Sequence, residues 1–245
     1  MLRTTLLATL VFTGWITLHA REAEETGADS SVGLPAAYGD YLIASHSRSP
    51  DKQFAVIYPK LKLCEDDPKP GTPSPCQDYL VALKPFHILT KIDTRWPHFQ
   101  NRSNSGISAT WASGSSAVLV TIASKWGPGD IFLYEMGAGE VRRSTDLLAK
   151  VHDLLVPAFK KSKAEMYNDL FDFIFDTEEG GPVCEFADAS RVRIKGTATT
   201  DPKNLPGLRA WDGKVQAIWD IPAARFTSAK TTTLFAGKRK GEDPQ

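Results

Sequence analysis

Short apolar runs with strand-type alternation dominate the first two thirds of the chain. They are rich in β-branched and aromatic residues and are separated by turn residues, a pattern typical of antiparallel strands. The strongest run is Ala117–Ala123, in which Val118, Val120 and Ile122 share one face and Leu119 lies on the other. Glycines on both sides of Pro128 predict a turn there. The strands predicted in this part are 54–58, 79–83, 87–92, 107–111, 117–123 and 131–134.

After Arg143 the apolar spacing changes to a helical period. Leucines and valines three and four apart predict a helix capped by Ser144 or Thr145, and Pro157 is expected to end or kink it. A second helix is predicted over 163–175. Four carboxylates would share one face of that second helix: Glu165, Asp169, Asp172 and Asp176.

Strand-type alternation returns in the last 55 residues. Arg191, Arg193 and Lys195 alternate with smaller or apolar residues, which predicts a strand with one solvent-facing side. Further strands are predicted at 215–219 and 226–235, with a loop at 201–207. The predicted organisation is therefore a flexible leader at 21–37, a single β-rich domain at 38–236 and a polar tail at 237–245.

The first twenty residues, Met1–Ala20, have the pattern of a cleavable signal peptide. Arg3 precedes an uncharged apolar stretch from Leu6 to Leu18, and the small residue Ala20 precedes a charged run. A membrane-spanning helix needs ~20 apolar residues, so this stretch is short for one. The alternative is an uncleaved membrane anchor. Export to the periplasm or the extracellular space, without membrane insertion after cleavage, is the prediction.

The charge of the mature chain is close to balanced. Of 29 basic residues only Arg3 lies in the signal, and the signal has no acidic residue, which leaves 28 basic against 29 acidic residues. A dedicated nucleic-acid binder would need a surplus of cations to neutralise phosphates. The balance therefore argues against a nucleic-acid partner and gives no reason to expect an anionic membrane surface.

Cysteine usage agrees with export. Cys64 and Cys76 enclose a segment with four prolines, and a disulfide between them would stabilise the fold by ~3 kcal/mol. That disulfide is predicted. Cys184 remains and is interpreted as a small buried apolar residue rather than a nucleophile.

Two segments resemble blades of β-propellers of the TolB and WD40-like type. The first is Ser49-Pro50-Asp51-Lys52 leading into an apolar strand; the second combines 111–123 with the strand 130–136 and the glycine-bearing turn 137–143. The resemblance covers about residues 45–145, too few copies for a closed propeller. It implies a protein-contact or scaffold role and assigns no functional residue. With it, the predicted fold class is α+β, mainly β: antiparallel, blade-like meander sheets with a two-helix insertion around 144–176.

Candidate chemistry is sparse. Aromatic side chains in loops offer large rigid contact areas, which makes Trp96, Phe99 and Trp126 candidate binding residues together with His98. The acidic set of the second predicted helix is either a cation site or, more simply, a solvated helix face. No metal ligand set, cofactor motif or catalytic triad is predicted.

Three functions remain open from sequence, of which a purely structural envelope component is the third. The first is an exported, non-enzymatic binding or protein-interaction module whose partner is a protein or an envelope component. The alternative is an exported hydrolase that uses His98 or the acidic helix face. A deep pocket would favour the hydrolase, whereas a shallow surface would favour the binding module.

Overall fold

The computed structural model describes residues 33–60, 76–94, 106–124, 126–167, 173–176 and 181–239. Within these residues the chain forms three antiparallel sheets and one α-helix. The predicted mainly β architecture is confirmed, and every strand predicted from the alternation pattern is present. The sequence missed four short or weakly apolar strands, at 41–43, 140–146, 174–176 and 184–188.

Each sheet contains a meander, in which strands that follow one another in the chain are hydrogen-bonded neighbours. The first sheet comprises β1 (Tyr41–Ile43), β2 (Phe54–Pro59), β3 (Asp78–Leu83) and β4 (Phe86–Ile92). The second comprises β5 (Ile107–Trp111), β6 (Ala117–Ser124), β7 (Gly127–Gly137) and β8 (Glu140–Asp146). The helix α1 (Leu147–Ser162) follows. The third comprises β9 (Ile174–Asp176), β10 (Cys184–Asp188), β11 (Arg191–Thr199), β12 (Arg209–Asp220) and β13 (Arg225–Lys238).

The second sheet supplies side chains to two hydrophobic cores. Val118 and Val120 of β6 pack with Leu80 of the first sheet. Leu119 of the same strand belongs to the other core, which α1 and the third sheet complete with residues such as Trp211. Both faces of β6 are therefore buried, as expected for the strongest apolar run in the sequence.

A basic side chain joins the second and third sheets. The guanidinium of Arg143 on β8 donates to the carboxylate of Glu135 at 2.5 and 2.9 Å. It also donates to the carbonyl of Ile221 in the turn before β13. A bidentate pair of this kind fixes the direction of the guanidinium, so the turn is held against the second sheet.

Two details of the predicted first helix are wrong. Its cap is Asp146, whose Oδ1 accepts a hydrogen bond from the Ala149 N–H at 2.9 Å; the two predicted caps belong to β8. The helix also continues through Pro157 to Ser162, so it does not end at the proline, whereas a kink there stays a prediction. Proline removes one backbone donor, but Ala158 and Phe159 beyond it pack against the core, and that burial maintains the last turns.

The predicted second helix is also wrong. Lys163 adopts a left-handed conformation that ends α1, and residues 164–167 are not helical. Phe173 and Phe175 are buried on either side of Ile174, and Phe175 pairs with Ala198 of β11. Alternate burial with this cross-strand pairing makes the segment a strand. An apolar run this short fits both the alternation of a strand and the spacing of a helix, so its sequence does not distinguish them.

The predicted turns are placed differently. Gly127 and Gly129 lie inside β7, which extends from Gly127 to Gly137. The glycine-bearing segment after it contains a two-residue hairpin turn, Ala138-Gly139, with φ of 55° and 84°. Two successive positive φ values fit a tight hairpin turn, so β8 begins directly afterwards.

The ends of the predicted domain are partly described. Residues 1–20, the predicted signal peptide, lie outside the described residues. Within the predicted leader, Leu34 packs against the outer face of the first sheet. At the other end β13 extends to Lys238, inside the predicted tail. No helix of the described part is long and apolar enough to span a bilayer.

Candidate binding faces

The predicted aromatic loop site is only partly described. Trp96, His98 and Phe99 lie outside the described residues, so their role stays a prediction. Trp126 is half-buried at the start of β7, with its backbone N–H 3.5 Å from Ser124 Oγ. Trp111 has a structural role, because its indole N–H donates to the Ser47 carbonyl at 2.8 Å.

The acidic set does not lie on one helix face. Glu165 is in irregular chain after α1, Asp176 is on β9, and Asp169 and Asp172 lie outside the described residues. Among the described residues no group of three or more histidine, cysteine or acidic side chains is arranged to hold a metal ion. The hydrolase alternative therefore lacks its shared acidic face, and its other residue, His98, is not described.

Two of the three cysteines, Cys76 and Cys184, lie within the described residues. Cys184 is a free thiol that is buried in the core between α1 and the third sheet, and burial raises its pKa. A thiol with a raised pKa forms little thiolate and is a poor nucleophile. The interpretation of Cys184 as a buried apolar residue thus agrees with its position. Cys64 lies outside the described residues, so the disulfide between Cys64 and Cys76 stays a prediction.

The Ser/Asp turn of the first blade-like segment is a hydrogen-bonded structural unit. Ser49 Oγ donates to Asp51 Oδ1 at 2.5 Å and accepts from the Phe54 N–H at 2.9 Å. The backbone N–H of Asp51 lies 3.4 Å from Ser115 Oγ in the second blade-like segment. Burial alone would raise the pKa of Asp51, but hydrogen bonds from Ser49, Gln53 and Ser115 outweigh it and lower that pKa. The motif therefore joins the turns of two sheets.

The outer face of the first sheet carries an aromatic cluster that the sequence analysis missed. Tyr38 lies with its ring centroid 4.8 Å from that of Phe86 and 5.6 Å from that of Tyr41. The ring centroid of Tyr79 lies 5.8 Å from that of Tyr41. Burial of Tyr41, together with the nearby hydroxyls of Tyr79 and Tyr38, raises the pKa of Tyr41. All four rings are half-buried. They pack against the buried residues of the first sheet and meet one another at angles of 50° to 63°.

A groove of about 320 Å³ crosses the outer face of the third sheet. Ile194 and Ala217 point into the core, so alternation turns their neighbours on β11 and β12 outward. In the register of β11, β12 and β13, paired residues lie side by side in rows that cross all three strands. The outward-facing residues of the groove are Arg193, Lys195, Gln216, Ile218, Ser228 and Lys230.

Ion pairs border this groove on the β10 side. Arg193 Nη1 lies 2.9 Å from Glu185 Oε1, and both side chains are about half exposed. Farther along the same edge, Arg191 pairs with Asp188. Hydrogen bonds from Arg191 and Ser190 lower the pKa of Asp188 to about 2, so this carboxylate stays charged in mildly acidic solution.

The end of β13 is fixed by a second set of charges. Arg239 donates two hydrogen bonds to the carboxylate of Asp212, at 2.8 and 2.9 Å. Its Nε lies 3.5 Å from the buried carboxylate of Asp201, which accepts hydrogen bonds from the backbone of its own loop. This clamp holds the C-terminal end of β13 against β12 and so maintains the register that forms the groove.

The sequence predicts all three strands of the groove, but not the face that they form together. The alternation of Arg191, Arg193 and Lys195 indicates a solvent-facing side, and nothing in the sequence connects this row with Gln216 or Lys230. Alternation around Gln216 gives the outward direction of that side chain. The register of the three strands, which no sequence pattern encodes, brings the rows together.

Comparisons of the chain with protein-family models, with curated proteins and with solved structures gave no match.

Proposed function

We propose that the mature chain is an exported, non-enzymatic binding module that holds a protein or envelope component on the outer face of its third sheet. One observation carries this proposal. The groove spans three strands in continuous register, and no described element covers it. A hydrogen-bonded sheet fixes the backbone positions from which these side chains project, so no backbone has to be ordered on binding.

The shape of the groove fits binding better than catalysis. Its walls are side chains standing on the open face of a sheet, whereas enzyme pockets enclose most of a small substrate. None of the described residues that line the groove is a carboxylate, histidine, cysteine or tyrosine. Ser228, the hydroxyl among them, therefore has no histidine or carboxylate base in that lining to activate it.

Site-specific photo-crosslinking in the producing organism tests this function without a known ligand. Benzoylphenylalanine replaces Gln216 or Ser228 in the groove. The matched controls carry it at exposed Ser113, in the turn before β6, or at exposed Lys150 on α1. We expect ultraviolet light to give a defined adduct from the groove positions and none from the controls. Adducts from the controls alone, or no adduct from either groove position, would show that this face is not the binding site.

A further inference from the structure

Basic residues are concentrated in the middle of the groove face. Lys195 and Lys230 lie on either side of Gln216 in one row across the sheet, and Lys214 is the central residue of the next row. Lys230 is exposed on the edge strand β13, whereas Lys195 and Lys214 are half-buried and also make interactions within the protein. Arg193 adds a fourth cation beside Lys195 on β11.

The acidic residues near this face lie around its border. Glu185 pairs with Arg193, and Asp176 lies next to Thr197 at the β9 edge. Asp212 is bound by the C-terminal clamp, and Asp220 Oδ1 accepts a hydrogen bond from the backbone N–H of Ala223. Between these borders the outward residues of β12 and β13 are basic or neutral. The field over the centre of the face is therefore positive.

The cations are spaced for an extended ligand. Neighbouring strands are ~4.8 Å apart and alternate residues of a strand ~6.8 Å apart. The Cα positions of Lys195 and Lys230, two strands apart, are thus ~10 Å from each other, and that of Lys214 lies diagonally ~8 Å from that of Lys230. Flexible lysine side chains project from these spread positions, so a chain with repeated acidic groups can contact several of them at once.

The neutral residues between the cations indicate the class of chain. Gln216, Ser228 and Thr232 offer hydrogen-bond donors and acceptors, which suit hydroxyl and amide groups of sugars. Proteins that bind single-stranded nucleic acids stack the bases on aromatic rings, and none of the described residues that line the groove is aromatic. We propose that the groove binds a linear polysaccharide that carries carboxylate or sulfate groups; this inference rests on the proposed function and names its partner.

The test is binding of fluorescently labelled heparin and polygalacturonate to the full mature chain at several salt concentrations. The groove variants are Lys230→Gln, inside the groove, and Lys214→Gln, in the row beside it on the same face. The matched control is Lys91→Gln, an exposed lysine on β4 of the first sheet. Neutral dextran and a labelled oligothymidylate serve as competing classes of ligand. Circular dichroism checks that each variant keeps its strand content.

We expect at least one acidic polysaccharide to bind and neutral dextran not to bind. Each groove variant should weaken binding several-fold and lower the slope of log Kd against log salt by about one, because each lysine releases about one counterion. The control should bind like the unchanged chain. Equal affinity of control and groove variants, equally tight oligothymidylate, or no acidic polysaccharide bound would overturn the inference. If no acidic polysaccharide binds but the groove positions still give crosslinks, the proposed binding function stands with a different partner. If the groove positions give no crosslinks, the proposed function itself is wrong.

Discussion

At the scale of single residues, Ser49 shows how a short polar motif stabilises the fold. Its hydroxyl is 2.9 Å from the N–H of buried Phe54 and 3.1 Å from the N–H of Gln53, and it donates to Asp51. Alanine at this position would leave the Phe54 N–H buried without its acceptor. An unsatisfied buried donor costs ~1–3 kcal/mol.

We therefore expect Ser49→Ala to lower the free energy of unfolding by ~1–3 kcal/mol, measured by urea denaturation. Ser113→Ala is the matched control, because Ser113 is exposed near the corresponding turn of the second sheet. The control should change stability by less than ~0.5 kcal/mol. An equal loss in both variants would show that the hydroxyl of Ser49 has no special role in the turn.

At the scale of elements, α1 tolerates a proline because tertiary packing outweighs local propensity. Pro157 is exposed, and it removes the N–H that would bond to the carbonyl of Asp153. Leu155 before it is fully buried, and Phe159 after it packs with its ring centroid 5.4 Å from that of Phe173. These contacts hold both halves of the helix in place.

Pro157→Ala should raise the free energy of unfolding by ~1–2 kcal/mol. Alanine is ~3 kcal/mol better than proline inside a helix, and part of that gain is offset because proline also restricts the unfolded chain. Thermal unfolding followed by circular dichroism at 222 nm measures the change, with Lys150→Ala at another exposed position of α1 as the control. Should Pro157→Ala be neutral or destabilising, the ring of Pro157 would have a packing role of its own.

At the scale of the whole molecule, the second sheet couples the other two. Val120 faces the first sheet and Leu133 faces α1 and the third sheet, and both are fully buried. Side chains of the second sheet therefore complete a hydrophobic core with each of the other two sheets. We therefore expect the three sheets to unfold in one cooperative transition.

Hydrogen exchange with mass spectrometry across a urea series tests this coupling. Val120→Ala and Leu133→Ala should each lower the midpoint by the same amount for peptides of the first and third sheets, because each creates a cavity in a core that the second sheet shares. Leu133→Ala, which removes more buried volume, should cost ~2–5 kcal/mol. Peptides of the first sheet that unfold at lower urea than those of the third would contradict a single transition.

The chain's sequence determined its strands more reliably than its helices. Alternation in 117–123 and 191–196 identified strands because a pleated sheet turns every second side chain to the same face. The helical spacing of Leu147, Leu148, Val151 and Leu155 identified α1 for the corresponding reason. The same kind of spacing wrongly predicted a helix over 163–175. The run Phe173-Ile174-Phe175 fits both strand alternation and helical spacing, and only the pairing of this segment with β11 shows that it is a strand.

What the sequence determined by itself is therefore the mainly β architecture, whereas the signal peptide at Met1–Ala20 stays a prediction. Tertiary structure alone decided the stacking of three sheets about the second one and the site of the groove. Its basic residues are separated by up to 37 positions, from Arg193 to Lys230. Their proximity depends on the register of β11, β12 and β13, which hydrogen bonds between strands and burial of Val192, Val215 and Trp219 set together.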